Sequence, residues 1–373
     1  MNAIAYTGCD IHDGNRLHPG AVLVMEDDVC AGIESTVPPG ARVVTLDGGT
    51  LCPGLVDLQV NGGGGVMFND APTVETLRTI AEAHRRMGTT ALLPTLITDR
   101  RHMSRAAIAA AVEAVGKVPG IIGLHLEGPH LSQARKGAHD ASLIRPLDDD
   151  DMAMLCTAAA KLPKLMLTVA AETVTPAQIA QLSAAGVIVS LGHSDAGFEA
   201  CRAAFAAGAR CTTHLFNAMS GLGHREPGLV GATLDGAGAA GIIADGIHVH
   251  PTAIRAALHA KVAGSMFLVS DAMAPAGTDI DRFTLNGREI LRRGGRLTLA
   301  DGTLAGADLS LPQAIRVMVN EVGISREQAI VMATAAPAGV LRHKGSAGHL
   351  TVGARSEVVH LAPDLSTARP LTD

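Results

Sequence analysis

The sequence predicts a (β/α)8 TIM-like barrel carrying a small β-sandwich built from both chain ends. Three observations predict it. Eight short apolar runs occupy 55–60, 90–96, 121–127, 165–170, 187–193, 210–215, 241–246 and 265–271. Helical patterns separate most of them, and such alternation over roughly 270 residues builds a ring of parallel strands. Polar residues gather at the ends of these runs, where a parallel barrel assembles its site. An open doubly wound sheet is the alternative that alternation alone also allows.

The elements follow in order. Residues 1–52 carry strand signals such as Ala21–Met25 and Ala41–Leu46, with Pro-Pro-Gly at 38–40 and no long 3.6-residue period. Strands and glycine turns return at 345–361. The predicted division is therefore a small β domain from 1–52 and 340–373, and a barrel over 53–339. In 74–87, Leu77, Ile80, His84 and Met87 share one helix face, and Gly88 stops it. In 106–117, Ile108, Val112 and Val115 repeat that spacing. Thr175-Pro-Ala-Gln178 is a capping box with proline at the first helical position. Pro251 opens another helix, with Gly264 beyond it, and a helix over 311–322 ends at Gly323. The stretch 217–237 is glycine-rich and shows no clear helix; a loop that long in a compact domain is usually functional. Asn286-Gly287 and Gly294-Gly295 predict hairpin strands inserted over 281–305.

Composition excludes several functions. Thirty basic residues against 36 acidic give a net charge of −6, so no basic excess attracts nucleic acid. One Tyr, six Phe and no Trp disfavour stacking platforms for single strands or polysaccharides. No run reaches roughly 18 apolar residues, so no membrane-spanning helix is expected. The first residues lack the basic head and apolar stretch of a secretion signal. The six cysteines include no Cys-x-x-Cys pair and read as reduced core residues of a cytoplasmic protein.

Chemistry concentrates at the run ends. Glu127 ends the third run, His193 the fifth and Asp271 the eighth; His214 lies near the end of the sixth, and His248 and His250 follow the seventh. Two histidines and a carboxylate on neighbouring strands suit a catalytic Zn²⁺-type site with open positions. An unligated aspartate beside it can take a proton from water. A lone histidine at a strand end is ordinarily a packing residue; the convergence of Glu127, His193, His214 and Asp271 favours function. His125 shares the face direction of Glu127 and reads as core or as a support beside the ligands. His12, His18, His84, His102, His259, His343, His349 and His360 read as structural or surface residues. Gly62–Gly65 reads as a permissive turn, because it lacks Gly-x-Gly-x-x-Gly and a following helix start. Spacing alone does not give Arg225, in Gly223-His-Arg-Glu-Pro-Gly228, an anion role.

Several long motifs occur in one order: PGLVDLQVNGGGGVMFND at 53–70, GLHLEGPHL at 123–131, KGAHD at 136–140, SLGHSDA at 190–196, THLFNAMSGLGHREPGLVG at 213–231, DGIHVHP at 245–251, LVSDAMAPAGT at 268–278 and GTLAGADLSL at 302–311. Through them the chain resembles the amidohydrolase superfamily, and within it the N-acetylglucosamine-6-phosphate deacetylase family. Where the superfamily usually has His-x-His after the first strand, this chain has Gln59-Val-Asn61, and amides are poor zinc ligands beside imidazole. The resemblance implies one divalent metal per chain, Zn²⁺ before Fe²⁺, on Glu127, His193 and His214. A second, weaker metal stays open. Gln59 and Asn61 would hydrogen-bond water or the ligand shell. A glycine turn of Gly-x-Asp-Ala-Asp type, frequent before the superfamily's last strand, is replaced by Gly353-Ala-Arg-Ser-Glu357.

The implied reaction is hydrolysis of N-acetylglucosamine 6-phosphate to glucosamine 6-phosphate and acetate, in amino-sugar catabolism. Asp271 would serve as base and then acid, and His139 would polarise the acyl carbonyl. Arg225 and His248, with backbone N–H groups around Asn217 and Ala218, would bind the phosphate. The arginine loop can reach a neighbouring subunit in this family, which implies a homodimer. The galactosamine epimer or a related N-acyl hexosamine phosphate is the nearest alternative substrate. A catalytically silent sugar-phosphate sensor is the alternative outside enzymes.

Overall fold

The computed structural model describes residues 3–342 and 347–371. Eight parallel strands form one sheet: Leu55–Val60, Thr89–Ile97, Leu124–Glu127, Leu165–Val169, Ile188–Leu191, Cys211–Thr212, Ala239–Ile242 and Met266–Leu268. They are called the first to eighth barrel strands below. The first and eighth meet through a parallel bridge between Val60 and Ala272. Asp271 N–H donates to the Gln59 carbonyl at 3.0 Å, and Ser270 N–H donates to the buried Asp57 carboxylate at 3.2 Å. These bonds close the ring, so the predicted barrel forms and the open sheet does not. Leu58, Leu92, Leu126, Leu167 and Leu191 join one continuous core; burying each such side chain contributes about 1.5–3 kcal/mol.

Eight helices follow the strands in turn: Val74–Arg86, Arg101–Ala114, Asp149–Ala159, Pro176–Ala184, Phe198–Ala206, Gly228–Asp235, Pro251–Ala260 and Leu311–Val317. Thr175 and Gln178 make the predicted capping box. Leu77, Ile80 and His84 are buried, and Gly88 adopts φ 89° just past the helix. The last helix runs on as a π-turn over Met318–Val322 and stops at left-handed Gly323.

Two expectations need correction. The stretch 217–237 does contain a helix, Gly228–Asp235, and its residues 228–234 are all buried. A helix buried on every side has no polar face, so its sequence shows no 3.6-residue alternation. The second helix starts at Arg101 and buries Ala107, Ala110, Ala111 and Ala114, while Val112 is exposed. Ile108 and Val115 do pack half-buried against the core beside these alanines, so of the three predicted residues Val112 alone turns to solvent.

Two sheets form the sandwich. One orders Val29–Glu34, Val22–Glu26, Ala3–Thr7 and Arg42–Thr45; the other orders Ala368–Pro370, Val358–Leu361, Thr50–Pro53, Asp10–His12 and Leu17–His18. The second therefore joins strands from both chain ends. Tyr6, Leu23 and Met25 from one sheet pack with Ile11, Leu51 and Val358 from the other.

An antiparallel sheet of Arg282–Leu285, Arg288–Arg293, Arg296–Thr298 and Leu304–Ala307 follows the eighth barrel strand. Its two predicted turns are two-residue turns with both residues left-handed, at φ 50° and 73° for Asn286-Gly287 and 56° and 74° for Gly294-Gly295. Leu285, Ile290, Leu297 and Ala305 pack on Met67, Ile97 and Met273, so the insertion covers one side of the barrel mouth. Gly62–Gly63 and Val66–Met67 pair around a left-handed Gly64-Gly65 turn, as predicted.

His12 and His84 are buried, and His102 and His259 are exposed; His343 lies outside the described residues. The cysteines are free, and all but half-buried Cys156 are buried. No helix among the described residues is long and apolar enough to cross a membrane.

Candidate metal centre and active site

Barrel topology brings the run ends together. Glu127 is the last residue of the third strand, in register with Ile97 and Thr168. His193 and His214 lie two residues beyond the fifth and sixth strands, and Asp271 three beyond the eighth. At these three residues φ is 47°, 29° and 49°. Left-handed backbone at a non-glycine residue costs on the order of 1–3 kcal/mol, and it clusters at functional sites. Here the turn ends each strand and points the side chain across the mouth. Ser132 N–H anchors the His193 carbonyl at 2.8 Å, and Ala307 N–H anchors that of Asp271 at 2.9 Å.

Glu127 Oε1 lies 3.2 Å from His193 Nε2 and 3.0 Å from His214 Nε2, and the two Nε2 atoms are 3.2 Å apart. His193 Nδ1 donates to the Arg135 carbonyl at 2.8 Å, which leaves its Nε2 bare. Ligand bonds of about 2.1 Å at tetrahedral to octahedral angles separate donor atoms by about 3.0–3.4 Å. The three observed separations fall in that range, so these residues fit one divalent cation. Glu127, His139 and His193 also offer atoms within 4.8 Å of one another. His139 Nε2 stands off, however, at 3.8 Å from Glu127 Oε2, farther than His214.

The electrostatics separate the roles. Burial opposes ionisation of Glu127, but the His193 and His214 rings packed against it hold its carboxyl well below the usual range. Burial, then the charge on Glu127, pushes Asp271 up to about 6. Burial, then His193, pushes His139 down to about 3, so its ring is neutral at neutral pH.

Gln59 Nε2 donates to Glu127 Oε1 and to Asp271 Oδ1, both at 3.1 Å. Asn61 Nδ2 donates to the same Asp271 oxygen at 2.6 Å. Asn61 Oδ1 is buried without a partner among the described residues.

A cavity of about 250 Å³ opens above the cluster. Asn61, Glu127, His139, His193, His214, Asn217, Ala218, His248 and Asp271 all line it. Gln59 lies beneath the lining, bridging the two carboxylates. Arg225 does not join: it is exposed, on a loop outside the cavity. His125 is a core residue, with Nδ1 3.1 Å from the Leu58 carbonyl and Nε2 2.8 Å from Thr168 Oγ1.

Sequence reasoning missed four contributors. Asp245 Oδ2 holds His248 Nδ1 at 2.6 Å, while its Oδ1 accepts from the backbone of Ile247 and His248 at 2.8 Å. An aspartate two or three residues before N–H groups it can cap was the available signal. Thr98 contacts His139 Nδ1 at 2.8 Å. Its position just past the second strand was a signal of the same kind as the other strand ends. Arg288 donates to the Ala138 carbonyl, and Leu285 lines the cavity. Both come from the insertion, where no local pattern marks them.

A closed (β/α)8 barrel with a buried Glu/His/His group at the carboxyl ends of its strands defines a metal-dependent hydrolase class. The chain belongs to the amidohydrolase family, whose model matches residues 50–369, and it is a hydrolytic enzyme. Its relatives narrow the comparison. The chain is 42% identical over 360 residues to N-acetylgalactosamine-6-phosphate deacetylase of Shewanella sp., covering 94% of this chain and 90% of the relative. It is 35% identical over 370 residues to N-acetylglucosamine-6-phosphate deacetylase of Haemophilus influenzae, covering 98% and 95%. The crystal structure of N-acetylglucosamine-6-phosphate deacetylase from Pasteurella multocida superposes with a TM-score of 0.93 at 34% identity, covering 98% and 97%.

Proposed function

We propose that this enzyme hydrolyses the acetamide of N-acetylglucosamine 6-phosphate, giving glucosamine 6-phosphate and acetate. The observation that carries the reading is one cavity in which Asp271 and neutral His139 flank the Glu127, His193 and His214 cluster. A divalent cation on those three residues, Zn²⁺ in first place and Fe²⁺ in second, would acidify a water and polarise the acyl oxygen.

The chain's own residues do the rest. Asn61 and Gln59 hold Asp271 through Oδ1, leaving the other oxygen to take a proton from the attacking water. His139 donates Nε2–H to the acyl oxygen as negative charge builds there. Asp271 then returns its proton to the departing amine nitrogen, so one carboxylate serves both steps. His248, fixed by Asp245, and Asn217 and Ala218 also line the cavity, and with the backbone there receive the sugar phosphate. Arg225, exposed outside its own cavity, completes the phosphate site of a second copy in a homodimer. Free cysteines and this substrate support the reading of a cytoplasmic enzyme of amino-sugar catabolism.

N-acetylgalactosamine 6-phosphate is the second reading, favoured by the 42% identity to a deacetylase of that name. Acetate release from both sugar phosphates, with metal counted per chain in the same sample, tests the proposal. Turnover with about one metal per chain is the expected result, and the larger kcat/KM assigns the epimer. Metal-replete protein that releases no acetate from either overturns it. Binding without release would then make the chain a sensor.

A further inference from the structure

His139 and His193 face each other with ring centroids 4.4 Å apart, yet their surroundings select opposite tautomers. The Nδ1 atom of His193 meets a carbonyl, that of Arg135 at 2.8 Å, and must donate to it. The Nδ1 atom of His139 meets Thr98. The Thr98 backbone N–H points at it from 3.4 Å, and Thr98 Oγ1 lies 2.8 Å away. A backbone N–H can only donate, so Nδ1 of His139 is the lone-pair nitrogen. The neutral ring then carries its proton on Nε2. The Thr98 hydroxyl completes the arrangement by donating to Nδ1; its other acceptor, the Glu127 carbonyl, is farther at 3.3 Å.

Resting on the deacetylase reading, we propose that Thr98 is a positioning residue that fixes His139 as the Nε2–H tautomer. His139 is thereby a hydrogen-bond donor to the acyl oxygen and not a fourth metal ligand. The other tautomer would present a lone pair to a developing oxyanion. Thr98 is buried, 1% exposed, so no water replaces its hydroxyl at the ring.

The test uses the metal-loaded full chain and its Thr98→Val and Thr98→Ser variants. Valine keeps the branched shape and removes the hydroxyl; serine keeps the hydroxyl. Thr98→Val should lower kcat by about tenfold or more, as loss of an oxyanion donor's alignment does. KM and metal content should stay near the parent's, and Thr98→Ser should restore most of the rate. The Thr98→Val loss should shrink on the N-trifluoroacetyl substrate, whose oxyanion needs less stabilisation; a merely structural defect would slow both substrates equally. Unchanged kcat in Thr98→Val, equal losses in both variants or loss of metal overturns the proposal. Nitrogen-15 histidine spectra of the parent, assigned with His139→Gln, test it without turnover or a folded Thr98 variant. A protonated Nε2 and bare Nδ1 at His139 support it, and the reverse overturns it even if the enzyme proves to act on another substrate.

Discussion

The Asn61 side-chain amide donates to Asp271 Oδ1 at 2.6 Å, while the Asn61 backbone N–H donates to the Ala272 carbonyl at 2.8 Å. The residue that helps close the barrel therefore also aims the proposed base. Asp271→Asn should leave this closure in place, because an amide oxygen can still accept from Asn61 and Gln59. The variant should keep its metal and lose about 10²- to 10⁴-fold in kcat, the usual worth of a general acid–base group. Substantial remaining turnover would remove Asp271 from the proton-transfer role. In the parent, kcat/KM should fall on the acid side as Asp271 protonates, at or below about pH 6. A nearby cation would draw that limb lower.

His214 Nε2 lies 3.0 Å from Glu127 Oε1, closer than His193 Nε2 at 3.2 Å. His214→Ala should release most of the bound metal while His139→Ala retains it, because His139 stands 3.8 Å from the same carboxylate. Metal analysis after dialysis reads both. The reverse pattern would put His139 in the ligand set and His214 outside it.

The strand ends made much of this site legible in the sequence. Glu127, His193 and Asp271 each close an apolar run and His214 stands one residue from the end of another, and parallel topology gathers such ends at one face. What the sequence did not show is how the chain leaves each strand. The positive φ of His193, His214 and Asp271 comes from the tertiary frame, against the preference of those residue types. The Gly228–Asp235 helix, buried over residues 228–234, was hidden for a related reason, since only a half-buried helix writes its period into the sequence. Arg288 and Leu285 reach the site from an inserted sheet, so no spacing ties them to the residues they touch. His139 became visible only through family resemblance, because it sits in a loop, between the short turns Gln133–Arg135 and Ala141–Leu143.

Arg225 is exposed and outside the cavity of its own chain. If it serves a second copy, Arg225→Ala should weaken kcat/KM for the 6-phosphate by about tenfold or more and leave an unphosphorylated analogue little changed, since one charge-assisted bond is lost. Mixing this variant with Asp271→Asn should then regenerate activity. In a random mixture of twofold dimers, about a quarter of the sites pair an intact Asp271 with an Arg225 from the other chain. A mixture no more active than its components would return Arg225 to its own site or to the surface.

His84 offers a stability test independent of catalysis. Its Nε2–H donates to the Gly62 carbonyl at 3.0 Å, and burial pushes its pKa down from 6.5 to about 4. A base depressed in the fold contributes stability that is present above its unfolded pKa and is lost as pH falls from 6.5 toward 4. In that window the unfolded chain binds a proton that the folded chain refuses, worth about 1.4 kcal/mol per pH unit. His125 and His139, lowered by burial to about 4 and about 3, add in the same sense, as do His12 and His130, which burial also lowers. Asp57 and Asp271 oppose them, because burial raises these acids to about 7 and about 6 and the folded chain then holds the extra protons. The parent's slope is the sum of these opposing contributions, and a single substitution isolates one of them. His84→Gln keeps an N–H for the Gly62 carbonyl and removes the titrating ring. Between pH 6.5 and 4.5 its unfolding free energy should fall more slowly than the parent's, by about 1.4 kcal/mol per pH unit. Urea titrations at several pH values measure the difference, and parallel slopes would mean that His84 takes up its proton without leaving the fold.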